Sequence, residues 1–251
     1  MSIVSVINHK GGVAKTTTSI NVASSWAKMG KRVLVVDLDP QASATHSMFG
    51  KEEFKKTVFD VLVNRVPAKE AIVHAEEFNV DLIPSELLLS GCDIQLAAFY
   101  GRERILKRAL DEIKDEYDVI IIDCSPSLGL LTVNALLASK EIIIPICPEY
   151  FSIKGIELIL DTIKNIRAGL GHKVKIKGVI ITRFRNRKVI GRVLEDVKEA
   201  FNIKVFKSYI PDNISVEEAH HNHLPVHKYA PRSKGSIAYR ALSKELLNDE
   251  G

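Results

Sequence analysis

The 251-residue chain lacks most of the features that would settle its class at once. It has three cysteines, Cys92, Cys124 and Cys147, widely spaced and without a C-x-x-C pair. That usage argues against a disulfide framework and a zinc site, and leaves all three as small buried residues. The longest apolar runs, 119–122 and 142–146, fall far short of the roughly 18 consecutive apolar residues a membrane span requires, so no transmembrane segment is expected. No basic stretch precedes an apolar core at the start. The first seven residues run straight into a glycine-rich motif, so they read as part of the fold and the protein is expected to stay in the cytoplasm. Neither charge sign dominates: 35 Lys and Arg against 31 Asp and Glu leave +4, too little to announce a nucleic-acid partner, which would have to be argued from a local cluster. Linkers rich in Pro, Gly or Ser, internal repeats and low-complexity tracts are also missing, so one domain over 1–251 is expected.

What is there is a globular composition, 46% hydrophobic and 26% charged, which excludes disorder as the main state. Short β-branched runs recur at 3–7, 33–36, 80–83, 119–122, 141–146, 179–182 and 205–210. Most are continuously apolar, the pattern of strands covered on both faces. Helical patterns fall between them at 17–29, 86–99, 103–114, 130–139, 153–167, 191–201 and 236–247. The alternation predicts an α/β fold, a mostly parallel twisted sheet with helices on both faces. The polar stretch 41–56, with small residues and Gly50, reads as a mobile loop at the carboxyl edge of that sheet, where open α/β sheets bind ligands.

The strongest motif is Lys10-Gly11-Gly12-Val13-Ala14-Lys15-Thr16-Thr17, which follows the first strand and opens the first helix. Gly11 and Gly12 allow a tight turn that aims several N–H groups and a helix N-terminus at an anion. Lys15 supplies a point charge for β/γ-phosphates, and Thr16 offers a hydroxyl to Mg²⁺. The common G-x-x-x-x-G-K-[ST] pattern is not met, since His9 and Ala14 stand at its two glycines. The form present is K-G-G-x-x-K-T. Two further strands end in carboxylates, Asp37 and Asp39 in one and Asp123 in the other. A strand-end carboxylate beside a phosphate loop can hold Mg²⁺ through its water shell, which makes Asp123 the metal candidate. A capping or turn role is the competing reading for any one of these aspartates.

With its two lysines, this motif resembles the ParA/MinD group of P-loop ATPases with a deviant Walker A motif. Segments 30–41 (GKRVLVVDLDPQ), 128–136 (LGLLTVNAL), 148–151 (PEYF) and 229–236 (YAPRSKGS) are similar in order to the Soj/ParA partitioning branch. The resemblance implies a single-domain P-loop NTPase that binds ATP and Mg²⁺, forms a homodimer with ATP, and is nucleoid-associated through nonspecific DNA. It also implies slow hydrolysis stimulated by a ParB-like activator with a basic N-terminal segment. It places Asp37 in support of the metal, Asp39 on the attacking water, and Lys10 across the dimer as a charge delivered in trans to the phosphates. Pro211 and Asn213 fall in the loop beside the adenine. Ala14 departs from the glycine usual in the group, putting a Cβ close to the phosphates.

For DNA, the segment 183–192 (RFRNRKVIGR) carries five basic residues in ten positions; Arg185, Arg187, Lys188 and Arg192 are the candidates, and Arg187 matches a basic position of the family. A charged loop that only faces water is the competing reading. The family's P-R-N-x-R reads Pro211-Asp212-Asn213-Ile214-Ser215 here, so two arginines are replaced, which lowers the positive charge expected on the DNA face. Lys173, Lys175 and Lys177 are possible replacements. Four of the eight histidines, His220, His221, His223 and His227, lie within eight positions and read as a metal site or, more plainly, as a solvated or pH-sensitive polar loop. The alternative to a DNA partner is the same ATPase switch acting on a protein or a membrane surface. The acidic end of the chain and its short apolar stripe do not make the basic amphipathic helix that a membrane surface would need.

Overall fold

The computed structural model describes residues 2–148 and 153–248. Its elements are β1 (Ser2–Val6), α1 (Lys15–Lys28), β2 (Val33–Leu38), α2 (Ser43–Phe49), β3 (Val73–Ala75), β4 (Val80–Ile83), α3 (Cys92–Leu96), α4 (Ile105–Asp111), β5 (Val119–Cys124), α5 (Leu130–Ala138), β6 (Glu141–Ile146), α6 (Ile153–Leu170), β7 (Lys175–Ile181), α7 (Arg187–Phe201), α8 (Ile214–His221), α9 (Val226–Tyr229) and α10 (Lys234–Asn248). The strands form one sheet in the order β3-β4-β2-β5-β1-β6-β7. All neighbours are parallel except β3 and β4.

The continuous apolar runs are explained by cores on both faces. In β1, β2 and β5, Ile3, Leu34, Val36, Ile120 and Ile122 pack into one core with residues of α4, α5, α6 and α7. Their alternate neighbours Val4, Val6, Val33, Val35 and Ile121 pack into a second core with α1 and α10. Side chains of a strand point to opposite faces in turn, so a strand buried on both sides has no polar positions to spare.

Chain order reverses around β1. From β1 the chain crosses to β2, on the far side of β5, while from β5 it returns past β1 to β6. Loops leaving the carboxyl ends of strands on either side of such a reversal open a crevice. The register brings Asp37 of β2 opposite Asp123 of β5, and Asp123 opposite Val6 of β1. The glycine-rich segment after β1 and three strand-end aspartates therefore meet at one edge.

Several expectations are corrected. The stretch 41–56 contains a helix, α2, because small polar side chains bury there: Thr45 and Ser47 are almost inaccessible and each is hydrogen-bonded. Residues 205–210 run beside β7 with only one bridge, Val179 to Val205. The Glu245 carboxylate of α10 takes the N–H groups of Lys207 and Ser208 at 2.8 and 2.9 Å, which diverts the backbone from a ladder. The helix expected over 86–99 is a 3₁₀ turn, Leu87–Gly91, followed by the short α3. Its buried residues Leu89, Cys92 and Leu96 keep helical spacing, but Gly91 interrupts it. The edge strand β3 and helices α8 and α9 went unforeseen, β3 because three residues carry no usable period. Residues 149–151 of the 148–151 segment lie outside the described residues.

Candidate functional site

A cavity of about 500 Å³ opens at the sheet edge between the segment after β1 and the segment entering α8. Gly11, Gly12, Ala14, Lys15, Thr16 and Thr17 form one wall; Pro211, Asp212 and Asn213 face them from the other. Val13 is buried behind the loop. The local conformation is set by two left-handed residues, Gly12 at φ 74° and Ala14 at φ 61°. Gly12 adopts this at no steric cost, whereas Ala14 pays roughly 1–2 kcal/mol.

Lys15 begins α1, and its ammonium donates to the Lys10 carbonyl at 3.0 Å. Its side chain is buried, and burial lowers its pKa against the pull of Asp123 and Asp39, which favour the charged form. Thr16 and Ser19, three positions apart on one helix face, donate to the two oxygens of Asp123 at 2.7 and 2.9 Å. Burial pushes the Asp123 carboxyl up, and the hydrogen bonds from Thr16 and Ser19 and the charge of Lys15 oppose it. Asp37 is wholly inaccessible. One of its oxygens accepts from the Asp39 N–H at 3.2 Å, the other from the Thr45 N–H and hydroxyl, both at 2.8 Å. Burial also pushes its carboxyl up, with the nearby Asp123 charge adding to the shift. Asp37 is thus committed to the first turn of α2, one layer behind the cavity. Asp39 lines the cavity itself. One of its oxygens takes the Gln41 N–H at 2.9 Å, and the Ser85 hydroxyl fixes its carbonyl at 2.7 Å.

The opposite wall holds an unsatisfied acceptor: the side-chain oxygen of Asn213 is buried without a hydrogen-bond partner. A buried polar atom with no partner is costly, and this one belongs to a residue lining the cavity. Three of the four clustered histidines are helical where a loop is expected, and His223 sits in the turn after α8 at φ 54°. His220 and His221 sit on α8 and line the cavity, and His220 meets the Ser47 hydroxyl of α2 at 2.9 Å. His227 lies buried in α9. Among the described residues, no group of three or more His, Cys, Asp or Glu is placed to hold a metal ion.

The basic segment is also rearranged by the fold. Arg185 pairs with Asp212 at 2.8 Å, and Arg183 lies 3.7 Å from the same carboxylate. The negative charge that lowered the expected basicity of this face is therefore compensated on the spot. Lys188 and Arg192 are exposed on α7, which Asn186 caps by accepting the Lys188 N–H; the side chain of Arg187, the first residue of α7, lies outside the described ones. Lys177 is committed to Glu141 at 2.8 Å. Sequence reasoning singled out His220 and His221 without placing them on the cavity wall, and it missed Ser19, Thr45, Ser85, Glu217 and Tyr239 around the site. Only Ser19 carried a signal, its helical spacing from Thr16.

A parallel sheet reversed at β1, with a lysine-bearing glycine loop entering α1 and strand-end carboxylates beside it, defines a P-loop nucleotide-binding protein. The chain belongs to the Soj/ParA family of P-loop ATPases: the family model described as "AAA domain" matches residues 1–176, and relatives extend the match to nearly the full length. The chain is 42% identical over 246 residues to the sporulation initiation inhibitor protein Soj of Bacillus subtilis, with 97% of each covered. It is 35% identical over 254 residues to the chromosome partitioning protein ParA of Caulobacter vibrioides, with 100% of this chain and 95% of that one covered. Among solved structures, cobyrinic acid a,c-diamide synthase from Mycobacterium smegmatis, with bound ATP analog and magnesium, superposes with a TM-score of 0.86 at 34% identity, covering 99% of this chain and 95% of that one.

Proposed function

We propose that the chain is an ATPase switch that binds Mg-ATP in the cavity beside β1, forms a face-to-face homodimer around it, and holds DNA nonspecifically in that state to position DNA or another cargo. The observation that carries the reading is the meeting of the Lys15 loop with Asp39 and Asp123 at one sheet edge. The donor set fits both groups. The Thr16 hydroxyl and Asp123 carboxylate are hard oxygen donors, and so few of them suit magnesium, which keeps several waters. The unsatisfied Asn213 oxygen is an acceptor suited to a base amino group, with Pro211 alongside. When bound, magnesium would neutralise phosphate charge and orient the terminal phosphoryl group.

The remaining work falls to the chain itself. Lys15 and the backbone N–H groups of the loop hold the phosphates, and Lys10 adds charge from the partner copy. Asp39 orients the attacking water through the carboxylate oxygen not used by Gln41. Asp37 keeps the β2–α2 turn, and with it Asp39, in place. Slow turnover follows because these groups are completed only when a ParB-like activator binds. Of the described residues, no helix is long and apolar enough to cross a membrane.

DNA affinity measured at several salt concentrations with ATP, ADP and no nucleotide tests the reading. Tight binding is expected only with ATP, weakening steeply with salt as phosphate contacts release counterions. A chain that dimerises with ATP yet holds no DNA would favour a protein partner instead. Ala14 offers a second measurement. In Ala14→Gly the relief of left-handed strain and the larger unfolded-state entropy of glycine roughly cancel, at about 1 kcal/mol each. Thermal stability should barely move, while ATP affinity should rise a few-fold once the Cβ is gone; unchanged affinity would show that the Cβ does not crowd the phosphates.

A further inference from the structure

A phosphate loop works only if its peptide N–H groups face the anion. All peptide bonds described are trans, and in a trans peptide the C=O and the following N–H point in opposite directions. Whatever holds the carbonyls of Gly12 and Val13 on one side therefore aims the N–H groups of Val13 and Ala14 at the other. Neither N–H has a hydrogen-bond partner among the described residues.

Two consecutive residues just beyond β7 supply that hold. Thr182 is wholly buried, and its hydroxyl lies 3.0 Å from the Val13 carbonyl. The hydroxyl also lies 3.0 Å from the Ile146 carbonyl, which accepts the Thr182 N–H at 2.8 Å, so Thr182 ties the Val13 carbonyl to the end of β6. Arg183 donates from Nη1 to the Gly12 carbonyl at 3.1 Å and lines the cavity. Its backbone sits in the left-handed region at φ 52°, a conformation a bulky residue keeps only when its surroundings over-determine it. They do so here, since Arg183 lies 3.7 Å from Asp212 and 3.7 Å from Glu217 of α8.

We propose that Thr182 and Arg183 are positioning residues for the phosphate loop, a two-point clamp that holds the Gly12 and Val13 carbonyls so that the next two N–H groups face the phosphates. Asp212 anchors the clamp. This explains an acidic residue at a position where the family resemblance leads one to expect arginine, because an arginine there would stand as a like charge against Arg183 and Arg185. The proposal rests on the nucleotide reading of the cavity.

Titration of the full chain with Mg-ATP and Mg-ADP tests it, with melting temperature and steady-state hydrolysis measured in parallel. Thr182→Val should raise the dissociation constants of both nucleotides about tenfold, and Thr182→Ser, which keeps the hydroxyl, should stay within about twofold of the parent. Arg183→Gln, at a half-exposed position where folding is not at risk, should raise both about fivefold, as should Asp212→Arg. The loss should fall in KM, with kcat at saturating ATP within about threefold of the parent. A fall in melting temperature with nucleotide affinity unchanged in Thr182→Val and Arg183→Gln overturns the clamp alone. A parent chain that binds neither nucleotide overturns the clamp together with the reading beneath it.

Discussion

Lys15→Gln is expected to bind Mg-ATP at least 100-fold more weakly than the parent, a loss of about 2.7 kcal/mol. Lys15 is the cation at the mouth of the loop, buried to 7% exposure, where a charge meets phosphate in a medium that screens it far less than water does. Hydrogen bonds to charged groups are worth about 1.5–3 kcal/mol, and glutamine keeps the approximate length of the side chain while losing the charge. Glutamine also removes the Lys15 charge that favours the ionised form of Asp123, whose carboxyl burial already raises. The protonated form should then dominate at higher pH, which weakens the metal site as well. Isothermal titration of a variant whose melting curve stays cooperative decides the matter: parent-like affinity would remove the phosphate site from the cavity beside β1.

Asp39→Ala is expected to separate binding from hydrolysis. The carboxylate lines the cavity, and its carbonyl is held by Ser85 at 2.7 Å, so the backbone path survives the substitution. Among the described residues, the carboxylate accepts one hydrogen bond, from the Gln41 N–H. Gln41 is exposed, so water can take the place of the missing carboxylate. ATP affinity should stay within about threefold. Hydrolysis should fall by 100-fold or more, the scale on which a positioned acid or base contributes, and the ATP dimer should accumulate. Phosphate release together with sedimentation in ATP reads both effects. Hydrolysis at the parent rate would show that another group orients the water.

Much of this was legible in the chain. The sheet was legible because strands covered on both faces have no polar positions, and such runs are short, β-branched and separated by helical patterns. The nucleotide loop was legible because phosphate binding demands glycines, a lysine and a hydroxyl at fixed spacing directly after a strand. Less was legible where burial is achieved with small polar residues. Thr45 and Ser47 bury like a core while reading like a loop, which hid α2. The histidine segment read as solvated for the same reason, since no local pattern reveals that Ser47 and the cavity would face His220.

By itself the sequence determined the fold class, the order of the six parallel strands and the lysine-bearing glycine segment that follows β1, because hydrophobic period and loop chemistry are local properties. Only the tertiary structure decided which side chains answer one another across the site. Asp37 and Asp123 meet through strand register, Asp37 faces inward to α2, and Thr182 and Arg183 reach the loop from the far end of the sequence. Asp212, read along the chain as a loss of positive charge, is in three dimensions the partner of two arginines. A charge acts through distance in space, and a sequence gives distance only along the chain.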